Sequence, residues 1–191
     1  MAADLMPKPR SLGELISRTK IPANTVGLFW PGGSSLVFKS VRQRVYLLDP
    51  VAANWAGGSR SGAIDIRPDL VFCSVGPGEQ LDLSALSHLA AAFPDARFVG
   101  SGNARDAMIG RHADDEWADM PIEPGRVHAL EQEPRLDVRQ VGVSDSLRIR
   151  ILSDADGSDE PPWNLLLSFS GLQLCLIQRL NTEEDVVTVC E

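Results

Sequence analysis

An α/β or α+β fold with a largely antiparallel sheet is predicted by the spacing of apolar runs in this chain. Short runs of four to seven residues recur along most of its length, punctuated by Gly, Pro and Asp. Such runs read as strands. The first of them follow one another so closely that tight antiparallel connections are required. Two amphipathic stretches between later runs read as helices, so mixed strands carry a few helices packed outside them.

Each element has its own warrant. Ser11, with Glu14 three residues on, caps a short helical pattern at Leu12, Leu15 and Ile16. Residues 1–24 are otherwise a Pro- and Lys-bearing leader, and residues 25–191 read as a single domain. Val26–Trp30, Ser35–Phe38 and Val45–Leu48 are strands, the last ending at Asp49-Pro50. Residues 51–67 have no period and read as a loop. Leu70–Val75 is a buried strand, and Leu83, Leu86, Leu89 and Ala90 line one face of a helix over 84–93 that Pro94-Asp95 stops. Arg97–Val99 is a strand and Asn103–Ile109 a short helix closed by Gly110. Strands are then expected at 127–130, 138–143, 147–152, 163–169 and 172–177, the last two as a hairpin about Ser170-Gly171.

Composition narrows the function classes. With 191 residues, 43% hydrophobic and 23% charged, the chain can bury a real core. A net charge of −8 without a basic face argues against nucleic acid and anionic membrane surfaces. No apolar stretch is long enough to span a bilayer, and residues 1–10 lack the apolar region of a secretory signal. Cys73, Cys175 and Cys190 are an odd number and widely spaced, which fits a reducing cytoplasm. A cytoplasmic location is expected.

The order of three motifs carries a family resemblance. Phe29-Trp30-Pro-Gly-Gly-Ser-Ser35, then Tyr46-Leu-Leu-Asp49-Pro50, then Pro68-Asp69-Leu-Val-Phe72 resembles metallo-β-lactamase-fold hydrolases, particularly the ascorbate-6-phosphate-lactonase-like branch. Leu81-Asp82-Leu83, a Leu-rich helix and Pro94-Asp-Ala-Arg-Phe-Val-Gly100 continue it, and it spans about residues 26–180. The resemblance implies a partial αββα sandwich with mostly antiparallel or mixed sheets and helices outside, shortened in its C-terminal half. It also implies a loop after the third motif with the pattern H-x-H-x-D-H. Neutral imidazoles and a carboxylate there hold Zn, Mn or Fe, which turns a bound water into hydroxide near neutral pH.

This chain departs from that pattern at the loop itself. Val75 and Pro77 stand at the first two His positions, Glu79 at the Asp and Gln80 at the third His. Valine and proline have no side-chain donor. On the same alignment Asp145 replaces a later His, and Arg179 stands where a metal-bridging Asp would be, a cation at a dication's place. No catalytic residue, metal ligand or cofactor is therefore expected. Glu79, Gln80, Asp82, Asp145 and Arg179 remain as candidate binding residues of a remnant site, with Arg179 pairing with Glu79 or Asp145. Asp49 and Asp69 are expected to shape the turns around the loop.

Other candidates have plainer explanations. His88, His112 and His128 are scattered and read as structural. Gly76-Pro-Gly78 lacks the Lys-Ser/Thr tail of a phosphate loop, and Ser74 has no adjacent His-Asp pair to activate it. Residues 154–160 lack the spacing of a calcium loop. The expected function is that of a non-catalytic protein acting by binding or assembly. The shortened half should leave Leu165–Leu167 and Leu172–Ile177 uncovered, for a homodimer or a protein partner to cover. Two alternatives stand beside it: a metal-dependent, lactonase-like hydrolase with an atypical site on Glu79, Asp82 and Asp145, and a sensing module for a small anionic compound anchored by Arg179.

Overall fold

Ser11 does cap a helix. Its Oγ accepts from the Glu14 amide at 3.1 Å, and α1 (Leu12–Arg18) follows in the computed structural model, which describes residues 11–55, 65–74, 81–110, 121–130, 135–152, 164–169, 172–176 and 189–190. Strands β1 (Gly27–Gly32), β2 (Ser35–Lys39) and β3 (Val45–Leu48) come next and pair antiparallel. The β2–β3 connection closes with Ser40 N–H donating to the Arg44 carbonyl at 2.9 Å, and Gln43 takes a φ of 62° to make the turn.

From β3 onward the first sheet is parallel. Strand β4 (Leu70–Phe72) runs beside β3, α2 (Leu83–Ala92) returns the chain to β5 (Arg97–Gly100), and α3 (Gly102–Met108) precedes β6 (Val127–Ala129). The order is β1-β2-β3-β4-β5-β6. Strands β7 (Arg135–Asp137), β8 (Arg148–Leu152), β9 (Asn164–Phe169), β10 (Leu172–Leu176) and β11 (Val189–Cys190) form a second sheet, antiparallel throughout. The protein is thus a mixed α/β structure with helices outside the first sheet.

Burial patterns explain the layering. All four residues of β3 are buried, as a central strand covered on both faces requires. Tyr46 and Leu48 point between the sheets, where they meet Leu147, Ile149, Leu165, Leu167 and Phe169. Val45 and Leu47 point the other way, into a core with Ile16 of α1, Leu86 and Leu89 of α2 and Met108 of α3. Strand β8, Arg-Ile-Arg-Ile-Leu, alternates exposed and buried, so one face of the second sheet is packed and the other polar. Among the described residues the layers are helices, sheet and sheet; a helical layer beyond the second sheet is not among them.

Two expectations are corrected. Residues 138–141 form a 3-10 helix, not a strand. Asp137 and Gln140 make a reciprocal capping box, and Gly142 closes the turn at φ 86°. These local hydrogen bonds outcompete strand pairing, while the three-residue spacing still buries Val138 and Val141. A short 3-10 turn also spans Ala52–Trp55, within the stretch read as loop. Four of the leucines expected at the surface are inside: Leu165, Leu167, Leu174 and Leu176 fill the core between the sheets. Leu172 of that stretch is exposed, and Leu28 and Trp30 on edge strand β1 are exposed as well, Trp30 being 70% exposed.

Helix α1, in the stretch read as a leader, is fastened at one end to the segment before β4 and at the other to β2. Asp65 Oδ1 accepts from Gly13 N–H at 3.2 Å, and a Cβ on Gly13 would sit 2.4 Å from the Asp65 carbonyl oxygen. At the other end the ammonium of Lys39, 3% exposed, donates to the carbonyls of Ile16, Ser17 and Thr19 at 2.6, 3.1 and 2.8 Å. Arg126 does the same for α2, donating to the carbonyls of Ala90, Phe93 and Ala96. In both cases a cation satisfies carbonyls that a helix end leaves without partners.

Candidate functional site

The loop that the resemblance singles out, residues 75–80, leaves from the C-terminal end of β4, so Val75, Pro77, Glu79 and Gln80 lie outside the described residues, as does Arg179. Its two roots are described, and they are tied to one another through the end of β3. Asp49, 4% exposed and at a φ of 43°, turns the chain as β3 ends. Aspartate is among the few residues that enter this left-handed region without large strain. Asp49 Oδ1 accepts from the Ser74 amide at 2.7 Å, and Oδ2 accepts from the Ser74 hydroxyl. The Asp49 carbonyl accepts from Ser35 Oγ at 2.8 Å, and that hydroxyl in turn accepts from the Val51 amide at 3.1 Å.

Asp82 anchors the far root. It is the N-cap of α2: Oδ1 accepts from Ala85 N–H and Oδ2 from Ala52 N–H, both at 2.9 Å. One carboxylate therefore starts a helix and clamps the segment that follows Asp49. Cys73, next to Ser74, is fully buried, and burial with the nearby Asp49 charge pushes its thiol well above the usual range. It is an inert core thiol.

Asp145 is not at this end. Its Oδ2 accepts from the Tyr46 hydroxyl at 2.6 Å and its Oδ1 from the Ser146 amide at 2.7 Å. It lines a cavity of about 290 Å³ with Ser40 and Val41 of the β2–β3 turn, Phe169 and Leu172. Asp49 and Asp145 thus mark opposite ends of β3. Burial, then the bond to Asp145, hold the Tyr46 hydroxyl protonated far above its ordinary value. The pair is a buried polar tie between the two sheets, which the spacing of residues 46 and 145 gave no means of finding.

Asp69 corrects an expectation too. It does not border the loop after β4. It precedes that strand, where Oδ1 accepts from Arg44 at 2.7 Å and Oδ2 from the Val45 amide at 2.8 Å, so it shapes the β2–β3 turn at the opposite end of the strands.

No group of three or more His, Cys, Asp or Glu side chains able to hold an ion occurs among the described residues. His88 is exposed on α2, and His128 lies half-buried on β6, where burial and then Arg97 and Arg105 lower its pKa. Asp49 and Asp82 accept from neighbouring backbone amides, and these contacts hold the two roots of the loop.

No protein-family profile matches this chain, and no curated protein matches its sequence. Solved structures with a similar chain course include Igni18, a metallo hydrolase from the archaeon Ignicoccus hospitalis, at 14% identity and a TM-score of 0.49, covering 78% of this chain and 58% of that one. A metallo-beta-lactamase from Staphylococcus aureus gives 11% identity and a TM-score of 0.42, covering 77% and 40%. The metal-soaked Flv1 flavodiiron core of Synechocystis gives 16% and 0.40, covering 78% and 40%. The chain spans less than two thirds of the length of each.

Proposed function

We propose that this protein is a non-catalytic member of the metallo-β-lactamase-like αββα class, of the ascorbate-6-phosphate-lactonase-like branch, acting by binding or assembly. The observation that carries the reading is the state of Asp49 and Asp82. Both stand at the roots of the loop where the resemblance places metal ligands, and both carboxylates accept from groups that hold those roots together, Asp49 from the Ser74 amide and hydroxyl and Asp82 from the Ala52 and Ala85 amides. The loop between them contributes Val75, Pro77, Glu79 and Gln80 in place of the His-rich pattern. An acidic ligand cluster without its ion would be costly to bury, and replacing it with Val, Pro and Gln removes that cost. Glu79, Gln80 and Arg179 then belong to a remnant binding site, and the chain acts in the cytoplasm.

The assembly half of the proposal is a homodimer, or a complex with another protein, that covers exposed apolar surface. Leu28 and Trp30 on the edge strand β1 support it. Native mass spectrometry tests both halves at once. Metal-free chains in a dimer are expected; a monomer of 20.7 kDa carrying one or two transition-metal ions would overturn the reading.

A further inference from the structure

Beside the N-terminal ends of β3 and β4, a cleft of about 800 Å³ opens between the end of α1, the β2–β3 turn and the approach to β4. Five cationic side chains line it, Arg18, Lys20, Lys39, Arg44 and Arg67, and among the described residues its one lining carboxylate is Asp69. That local balance runs against the chain as a whole, in which acids outnumber Lys and Arg 26 to 18. We propose that this cleft binds a small soluble ligand carrying clustered phosphate groups.

The cations come from four separate stretches, and the fold fixes the innermost of them. Lys39 has its three donors on the carbonyls of α1, so it contributes a fixed positive charge to the floor of the cleft without needing to touch the ligand. Arg44 gives Nη1 to Asp69, which is itself held by the Val45 amide, and this aims the guanidinium while leaving its other donors for a ligand. Lys20 is exposed, and it pairs with no carboxylate among the described residues.

The remaining two cations each meet a carboxylate. Arg18 meets Glu14 at 2.6 Å in a partly exposed pair, and Arg67 meets Asp95 at 2.9 Å in a solvent-exposed one. Exposed pairs of this kind are weak enough for a multiply charged anion to displace.

Chemistry and size narrow the ligand. Planar guanidinium forks match phosphate oxygens in pairs, and a single carboxylate would leave most of the five charges unmatched. The volume lies in the range of small-molecule sites. A long polyanion would be repelled by the net charge of −8 once it extended beyond the cleft.

Tripolyphosphate is the probe. In calorimetry and thermal melts at matched ionic strength it is expected to bind saturably and raise the melting temperature more than sulfate does, with affinity falling as salt rises. The double variant Lys20→Gln/Arg67→Gln changes only exposed side chains. It should bind at least about tenfold more weakly, as expected for two lost charge-assisted contacts. Arg148→Gln/Arg150→Gln, on the outer face of the second sheet, should bind as the parent does. Vesicles bearing phosphoinositide headgroups form a second arm, and a concave cleft predicts that they bind no better than phosphatidylcholine vesicles. Equal effects of tripolyphosphate and sulfate, or equal affinity in the two double variants, would overturn the proposal, as would vesicle binding without binding of free tripolyphosphate.

Discussion

Replacing Asp49 with alanine is expected to destabilise the protein by about 3–4 kcal/mol, the sum of a lost buried acceptor pair and a left-handed backbone imposed on alanine. The Ser74 amide and hydroxyl would both lose their acceptor in a place that water does not reach, since Ser74 and Asp49 are both buried. Asp49→Asn keeps the tolerance for the φ of 43° and keeps one carbonyl oxygen for the Ser74 amide. It is therefore expected to lose only about half as much. Urea denaturation of the two variants beside the parent measures this. Equal stability of Asp49→Ala and the parent would show that Asp49 does not hold the loop root.

The second large effect is expected at Lys39. Lys39→Met keeps the length of the side chain but removes the donor to three helix-end carbonyls, at an expected cost of about 2–4 kcal/mol. Burial pushes the pKa of this ammonium down, while the three carbonyls around it favour the charged form. The damage should concentrate on α1. Amide hydrogen exchange over residues 12–18 is expected to rise far more than exchange in β3 and β4. A uniform rise across the chain, or none, would contradict the assignment of Lys39 as the fastening of that helix.

Legibility in the sequence followed the range of the interactions. Strands β2, β3 and β9 could be read because runs such as Val45–Leu48 announce burial by composition alone, α1 because Ser11 stands where a cap belongs, and α2 because Leu86, Leu89 and Ala90 recur on one face. The 3-10 turn at 138–141 was hidden because Val138 and Val141 look like strand residues, and the deciding bonds come from Asp137 and Gln140. Which leucines are covered was not legible either, since that depends on Phe169 and Leu167 meeting a strand 120 residues earlier in the chain.

The candidate site divided along the same line. The missing histidines of the loop could be read off directly, whereas the role of Asp82 as the cap of α2 came only with the structure. The Tyr46–Asp145 bond, which sets Asp145 at the other end of β3 from Asp49, and the convergence of five cations on one cleft arise only when remote segments meet.

Calorimetric titration of the chelator-stripped protein with Zn²⁺ tests the central claim most directly. A flat titration is expected, with no hydrolysis of lactone or phosphodiester substrates after the metal is added. Saturable uptake of one or two ions per chain, accompanied by the appearance of hydrolysis, would contradict it.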